Sequence, residues 1–297
     1  MKKNRFLSVP ILGILAVGFM VSCGDHESTT GNTSVLSINR AEVLTRSSKD
    51  TFKQGDEIGI FVLNETNGKY NDCSCCWNNK ATLLENGWKV DRNIYLTSEN
   101  GTMRAYYPYN EEVDQPTQIP VESATQTDYL YSRPIIVNAE NPVVTLQMQH
   151  ALALVKLVIK KDGYLGDGNI SGVSFQGINT EGTLDIETGE ILISKTGNES
   201  YKGDFSLTVD PLTIGLIALP QTVTSTTVLL LIDGERYGYK LPEGTWEQGK
   251  ETTYTLGINT IGKKLFEIGS STIDEWGSGG SYEGDLAPGI DIGTEID

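Results

Sequence analysis

The sequence has only two histidines, His26 and His150, among 297 residues. They stand too far apart for an HExxH zinc site. A Gly-x-Ser-x-Gly elbow, a P-loop and a GxGxxG turn after a strand are all missing, which removes the common hydrolase, nucleotide and dinucleotide chemistries. Positive charge is scarce: 23 Lys and Arg stand against 39 Asp and Glu, a formal charge of −16. A surface so acidic repels phosphate backbones and offers no basic patch to anionic lipid, so nucleic acid is excluded as a partner. Long amphipathic helical patterns and heptads are also lacking, and one apolar run alone is long enough to engage a membrane. No residue pattern marks an enzyme, a cofactor site or a metal site. The 39 acids supply carboxylate pairs by chance, so none of them singles out glycoside hydrolysis.

Cysteine is nearly as sparse. Of four, one is Cys23 and the others are packed into "NDCSCCWNN", as Cys73, Cys75 and Cys76. Three cysteines allow at most one internal disulfide and leave one thiol. Cys73 with Cys76 is the expected local pair, in a polar Asn-rich turn. The alternative, a soft-metal site, falls short of the four ligands of a closed zinc centre.

What is present begins at the N-terminus. Lys2, Lys3 and Arg5 precede an apolar run from Phe6 to Val21, about 16 residues, which suits a signal-peptide core better than a membrane span. The run ends in "MVSC", a lipobox-like stretch that predicts lipidation of Cys23 as the first mature residue. Removing the signal, residues 1–22, takes the charge from −16 to −19, because Lys2, Lys3 and Arg5 leave with it. Residues 23–34 are polar and read as a tether from the lipid to the fold.

Beyond residue 34, strand-like runs follow one another with turn residues between them, and Gly, Val, Ile, Thr and Tyr are frequent. "LIDGERYGY" is a hairpin signal, because Asp233-Gly234 tolerates the positive φ of a tight turn. "VVTLQMQHALALVKLVIK" (143–160) is apolar enough that its middle reads equally as strand or helix. His150 within it reads as a satisfied core or interface histidine, and Trp77, Trp88, Trp246 and Trp276 as core plugs. The expected fold is all-β: two antiparallel β-sandwich domains in tandem, at 35–140 and 141–282, with "NAENP" (138–142) as the boundary. A tail, 283–297, alternates with period two. Leu286, Ile290, Ile292 and Ile296 share one parity, the mark of a strand with one apolar face, although Pro288 cannot donate to a ladder.

Several segments in this order resemble the fimbrillin family, lipoprotein-derived subunits of donor-strand fimbriae. They are "TFKQGDEIGIFV" (51–62), "RAYYPY" (104–109), "QTDYLYS" (126–132), "LQMQHALALVKLVI" (146–159), "WEQGKETTYTLGIN" (246–259) and "TIDEW" (272–276). The "CSCC" cluster departs from the pattern. The resemblance implies a precursor held at the outer membrane through its lipid anchor. A surface Arg-specific protease would cut after an early strand and remove it, and another fimbrial subunit would fill the groove with an extended segment. Arg46 in "EVLTRSSKDTF" is the expected cut, with Arg40 as the second choice. The tail is then the candidate donor strand, with Leu286, Ile290, Ile292 and Ile296 entering a neighbour's groove. Two rival readings stand beside this one: a tip or accessory adhesin holding host protein or glycan, and a surface glycan-binding lipoprotein.

Overall fold

A computed structural model of the protein describes residues 33–44, 52–161, 163–208, 211–259, 264–276 and 287–288. Strands account for most of the described residues. Two short 3-10 turns, Tyr70–Asp72 and Ser74–Cys76, interrupt them.

The first large sheet runs, in spatial order, through strands Ser37–Val43, Val143–His150, Leu130–Ser132, Gly101–Tyr107, Glu57–Leu63, Asn79–Leu84 and Gly87–Val90, with Ile135–Val137 also on the 101–107 strand. The second runs Leu212–Ala218, Ala153–Lys160, Lys250–Asn259, Lys264–Glu267, Glu235–Lys240, Thr227–Ile232, Asn169–Leu184 and Ile191–Ser206, and ends at Ala287–Pro288. Pairings are mostly antiparallel. The exceptions include the first strand on 143–150 and the 153–160 strand on 250–259, both parallel.

The apolar run 143–160 is two strands and no helix. Val144, Leu146 and Met148 face the first core, and Ala153, Val155, Leu157 and Ile159 face the second. The bend at Ala151–Leu152 carries the chain from one sheet to the other. The expected boundary at 138–142 therefore falls before the last strand of the first sheet. The division is also less clean than a boundary implies, because strand Ile119–Glu122 leaves the first sheet's stretch of chain and pairs with Asn169–Leu184 of the second. A local composition shift marks a turn, whereas this exchange depends on pairing between distant residues.

Each sheet buries its own cluster, and a third cluster sits between them, with Phe61, Tyr106, Ile119, Val121, Leu152, Leu154, Leu184 and Trp276 among its members. The Asp233-Gly234 turn forms as its sequence predicts. Both residues have positive φ, 49° and 79°, and Ile232 pairs with Glu235 across it. Asp233 also accepts from the Tyr164 hydroxyl at 2.6 Å and from the Gly168 and Asn169 amides at 2.8 Å. Its carboxyl is held below the usual range, chiefly by Tyr164.

Candidate assembly site at the first strand

Strand Ser37–Val43 lies at the edge of the first sheet and, among the described residues, is paired on one side only, to Val143–His150. A register shift between Val144 and Thr145 puts a bulge in the ladder. An extra residue exchanges the two faces of a strand. Leu36 and Ile38 before the bulge, and Ala41 and Val43 after it, therefore all pack on the same core. Backbone bonds fix both ends: Leu36 N–H donates to Ile94 O (2.9 Å), Ser37 N–H to Pro142 O (2.9 Å) and Leu44 N–H to Met148 O (2.7 Å). Burying Leu36 and Ile38 is worth about 3–6 kcal/mol gross, at about 1.5–3 for each side chain. Beneath them lie Ile94, Leu96, Val144, Leu146 and Met148. This strand takes up the outer edge of 143–150 and packs on that apolar cluster.

Arg40 lies inside the strand. Its backbone is opposite Thr145, and its guanidinium meets Glu42 at 2.9 Å. Cys23, Arg46, Leu286, Ile290, Ile292 and Ile296 lie outside the described residues. Of the tail, Ala287 and Pro288 pair with Lys202 and Tyr201, at the edge of the second sheet. That is a position where a proline's missing N–H is tolerated.

The cysteine loop differs from expectation. Cys73 is bonded to Cys75, not to Cys76, and Cys76 is a buried free thiol. Burial pushes that thiol up to about 11, against the opposing field of Arg92. The pairing follows the local backbone. The Ser74–Cys76 turn leaves Cys73 beside Cys75, whose N–H donates to the Cys73 sulfur at 3.2 Å, and turns Cys76 into the core.

His150 is a satisfied interface histidine on one side of its ring: Nδ1 meets Asp128 Oδ1 at 2.9 Å, while Nε2 is buried and has no hydrogen-bond partner among the described residues. Trp246 and Trp276 are buried, and Trp77 and Trp88 half-buried, so none of the four presents a fully open face to a sugar. The sequence reading missed a polar knot at the junction, in which Ser123 and Tyr201 are buried and Gln126 and Glu199 half-buried. Ser123 Oγ and Tyr201 OH both donate to Glu199 Oε2 at 2.5 Å, and Gln126 bridges Ser123 O and Ile217 O. Burial and the Glu199 charge push the Tyr201 hydroxyl upward. "QTDYLYS" contains one member, Gln126, and nothing in local sequence points to the others.

The fimbrillin-like family profile matches residues 45–276. The chain belongs to the fimbrillin-like family. The match starts just after the edge strand and stops at Trp276, before the tail. A curated relative from Bacteroides uniformis, named as a candidate fimbrium subunit, Fim1C, is 24% identical over 92% of this chain and 97% of its own length. Among solved structures, a candidate cell-adhesion protein from Bacteroides ovatus superposes with a TM-score of 0.66 at 20% identity, covering 82% of this chain and 98% of that one. Another from Bacteroides uniformis gives 0.63 at 21%, covering 82% and 99%. At those identities the two structures speak for a shared fold.

Proposed function

We propose that this fimbrillin-like chain is a structural subunit of a surface fimbria, exported as a lipoprotein on Cys23 and assembled by donor-strand exchange. The observation that carries the reading is the edge strand 37–43. Among the described residues it pairs on one side only and packs on an apolar cluster, and in the sequence Arg46 follows within a few residues. A cut at Arg46 severs the strand from the body without breaking a covalent link elsewhere. Arg40 is a poorer cut, because a protease must first strip it from its ladder with 143–150. An extended segment from a second subunit then restores ladder bonds and apolar contacts together, which is the physics of strand addition. Leu286, Ile290, Ile292 and Ile296 supply one apolar face of suitable spacing.

The test uses the non-lipidated chain 24–297, which lacks Cys23, and the same chain without 284–297. Both are cut with an Arg-specific protease, the first cut is mapped, and the products are run unboiled on a denaturing gel. The reading expects cleavage at Arg46 and a ladder of multimers from the intact chain only. Clean cleavage with no ladder from either form overturns the stalk role. A second reading, a terminal or accessory subunit, is favoured by the pairing of Ala287–Pro288 with its own second sheet, which occupies part of the tail. It predicts that the chain accepts a donor and gives none.

A further inference from the structure

Three sulfurs come together in a loop that strand exchange does not use. The Sγ atoms of Cys73, Cys75 and Cys76 all lie within 4.8 Å of one another, and those of Cys75 and Cys76 are 4.0 Å apart. The backbone around them is clamped from outside the loop. Arg92 donates from Nη1 to Ser74 O (3.0 Å) and from Nη2 to Trp77 O (3.0 Å). The buried Asn79 donates from Nδ2 to Cys75 O (2.8 Å) and to Arg92 O (2.7 Å). Among the described residues, no His, Asp or Glu joins the three sulfurs.

Metal–thiolate bonds are about 2.3 Å long, so three thiolates around one ion in a plane stand about 4.0 Å apart. Cys75 and Cys76 already have that spacing. Three sulfurs without a fourth ligand fall short of closed tetrahedral zinc. Thiolate softness selects monovalent copper over hard cations. We propose that, when the Cys73–Cys75 disulfide is reduced, Cys73, Cys75 and Cys76 form a three-thiolate site for one soft monovalent cation of the copper(I) class.

The chemistry balances with a dithiol as reductant. It gives up two electrons and two protons, closes to its own disulfide, and leaves Cys73 and Cys75 as thiols. The incoming cation then displaces one proton from each of the three thiols, because a coordinating thiol is deprotonated. Cys73 and Cys75 are half-buried and give access from solvent, and Cys76 binds from the core side. Arg92 brings positive charge beside Cys76 and offsets the excess negative charge of three thiolates on a monovalent ion. The loop therefore has two exclusive states, since a sulfur spent in the disulfide is not a thiolate ligand.

The test is an anaerobic titration of the mature chain with copper(I) against a chromophoric copper(I) chelator, in oxidised and dithiol-reduced forms. The reduced form is expected to take up one copper per chain and the oxidised form none above background. Loss of an outer partner of a metal ligand typically costs 10–100-fold in affinity, so loss of a ligand should cost at least about 100-fold. Cys76→Ser tests the core ligand. Cys75→Ser removes a half-buried ligand and leaves the core thiol in place, so it reports even if the first variant folds poorly. Uptake by the oxidised form, or uptake unchanged in Cys75→Ser, overturns the site. So does reduced protein that binds no more copper than a triple-serine variant.

Discussion

The imidazole of His150 lies flat on the indole of Trp276, with ring centroids 4.0 Å apart and planes within 1° of parallel. His150 ends a strand of the first sheet, and Trp276 directly follows strand Thr272–Glu275, which pairs with Lys250–Asn259 of the second. The stack therefore ties one sheet to the other at the point where the chain departs toward its tail. Two further contacts hold this segment in place: the Trp276 backbone N–H donates to Gly249 O at 3.1 Å, and Glu275 forms an ion pair with Lys250.

Trp276→Ala should lower stability by about 3–5 kcal/mol, the usual cost of emptying a large aromatic site. Trp276→Phe keeps a ring over His150 and should cost less. Chemical denaturation of the mature chain measures both. Equal stability of Trp276→Ala and the parent would show that the junction does not depend on the stack.

Gly59→Ala should be more disruptive than a single methyl suggests. Gly59 is paired with Tyr106, and a Cβ there would stand 2.0 Å from the Tyr106 ring. Tyr106 is held by hydrogen bonds to Asn78 Oδ1 and Asn110 O, at 2.8 and 2.9 Å, so it cannot swing aside freely. Overpacking of this kind costs about 1–3 kcal/mol. The thermal midpoint is the readout, and an unchanged midpoint would contradict the account.

Alkaline pH should destabilise the fold through the same tyrosine. Burial pushes the Tyr106 hydroxyl from 10.0 up to about 12. In the unfolded chain the phenol ionises first, so the contribution is whole below pH 10 and is lost as pH rises toward 12. The loss is about 2–3 kcal/mol at roughly 1.4 per pH unit. Tyr106→Phe starts less stable at neutral pH, having lost its hydrogen bonds, and should fall less steeply above pH 10. An identical slope would assign the alkaline transition to other groups.

These residues also explain how much of the molecule could be read in advance. The strands and the Asp233-Gly234 hairpin follow from local pattern, because side-chain alternation and positive φ are properties of neighbouring residues. The segments that carried the family resemblance prove to be places where distant parts meet. Gly59 and Tyr106 come from two of them, and Asp128, His150, Gly249 and Trp276 from four others. The helix-or-strand ambiguity at 143–160 was resolved by long-range pairing, since one half completes the first sheet and the other enters the second. The 119–122 exchange and the Ser123–Glu199–Tyr201 knot were illegible for the same reason: both depend on partners more than 50 positions away. At the cysteines, counting correctly allowed one disulfide and one thiol, but only the backbone turn decides which sulfurs meet.

Hydrogen exchange can show whether the groove under residues 37–43 accepts the tail. The protein is cut at Arg46, the released strand is removed, and the chain used lacks 284–297, so the groove is empty. Amides along the outer edge of Val143–His150 are followed with and without a peptide of residues 284–297. Donor-strand assembly requires fast exchange in the empty form and protection restored by the peptide. A peptide carrying Ile290→Asp and Ile292→Asp should restore none. Protection that persists without any peptide, or that the tail sequence fails to restore, would contradict donor-strand assembly through this groove.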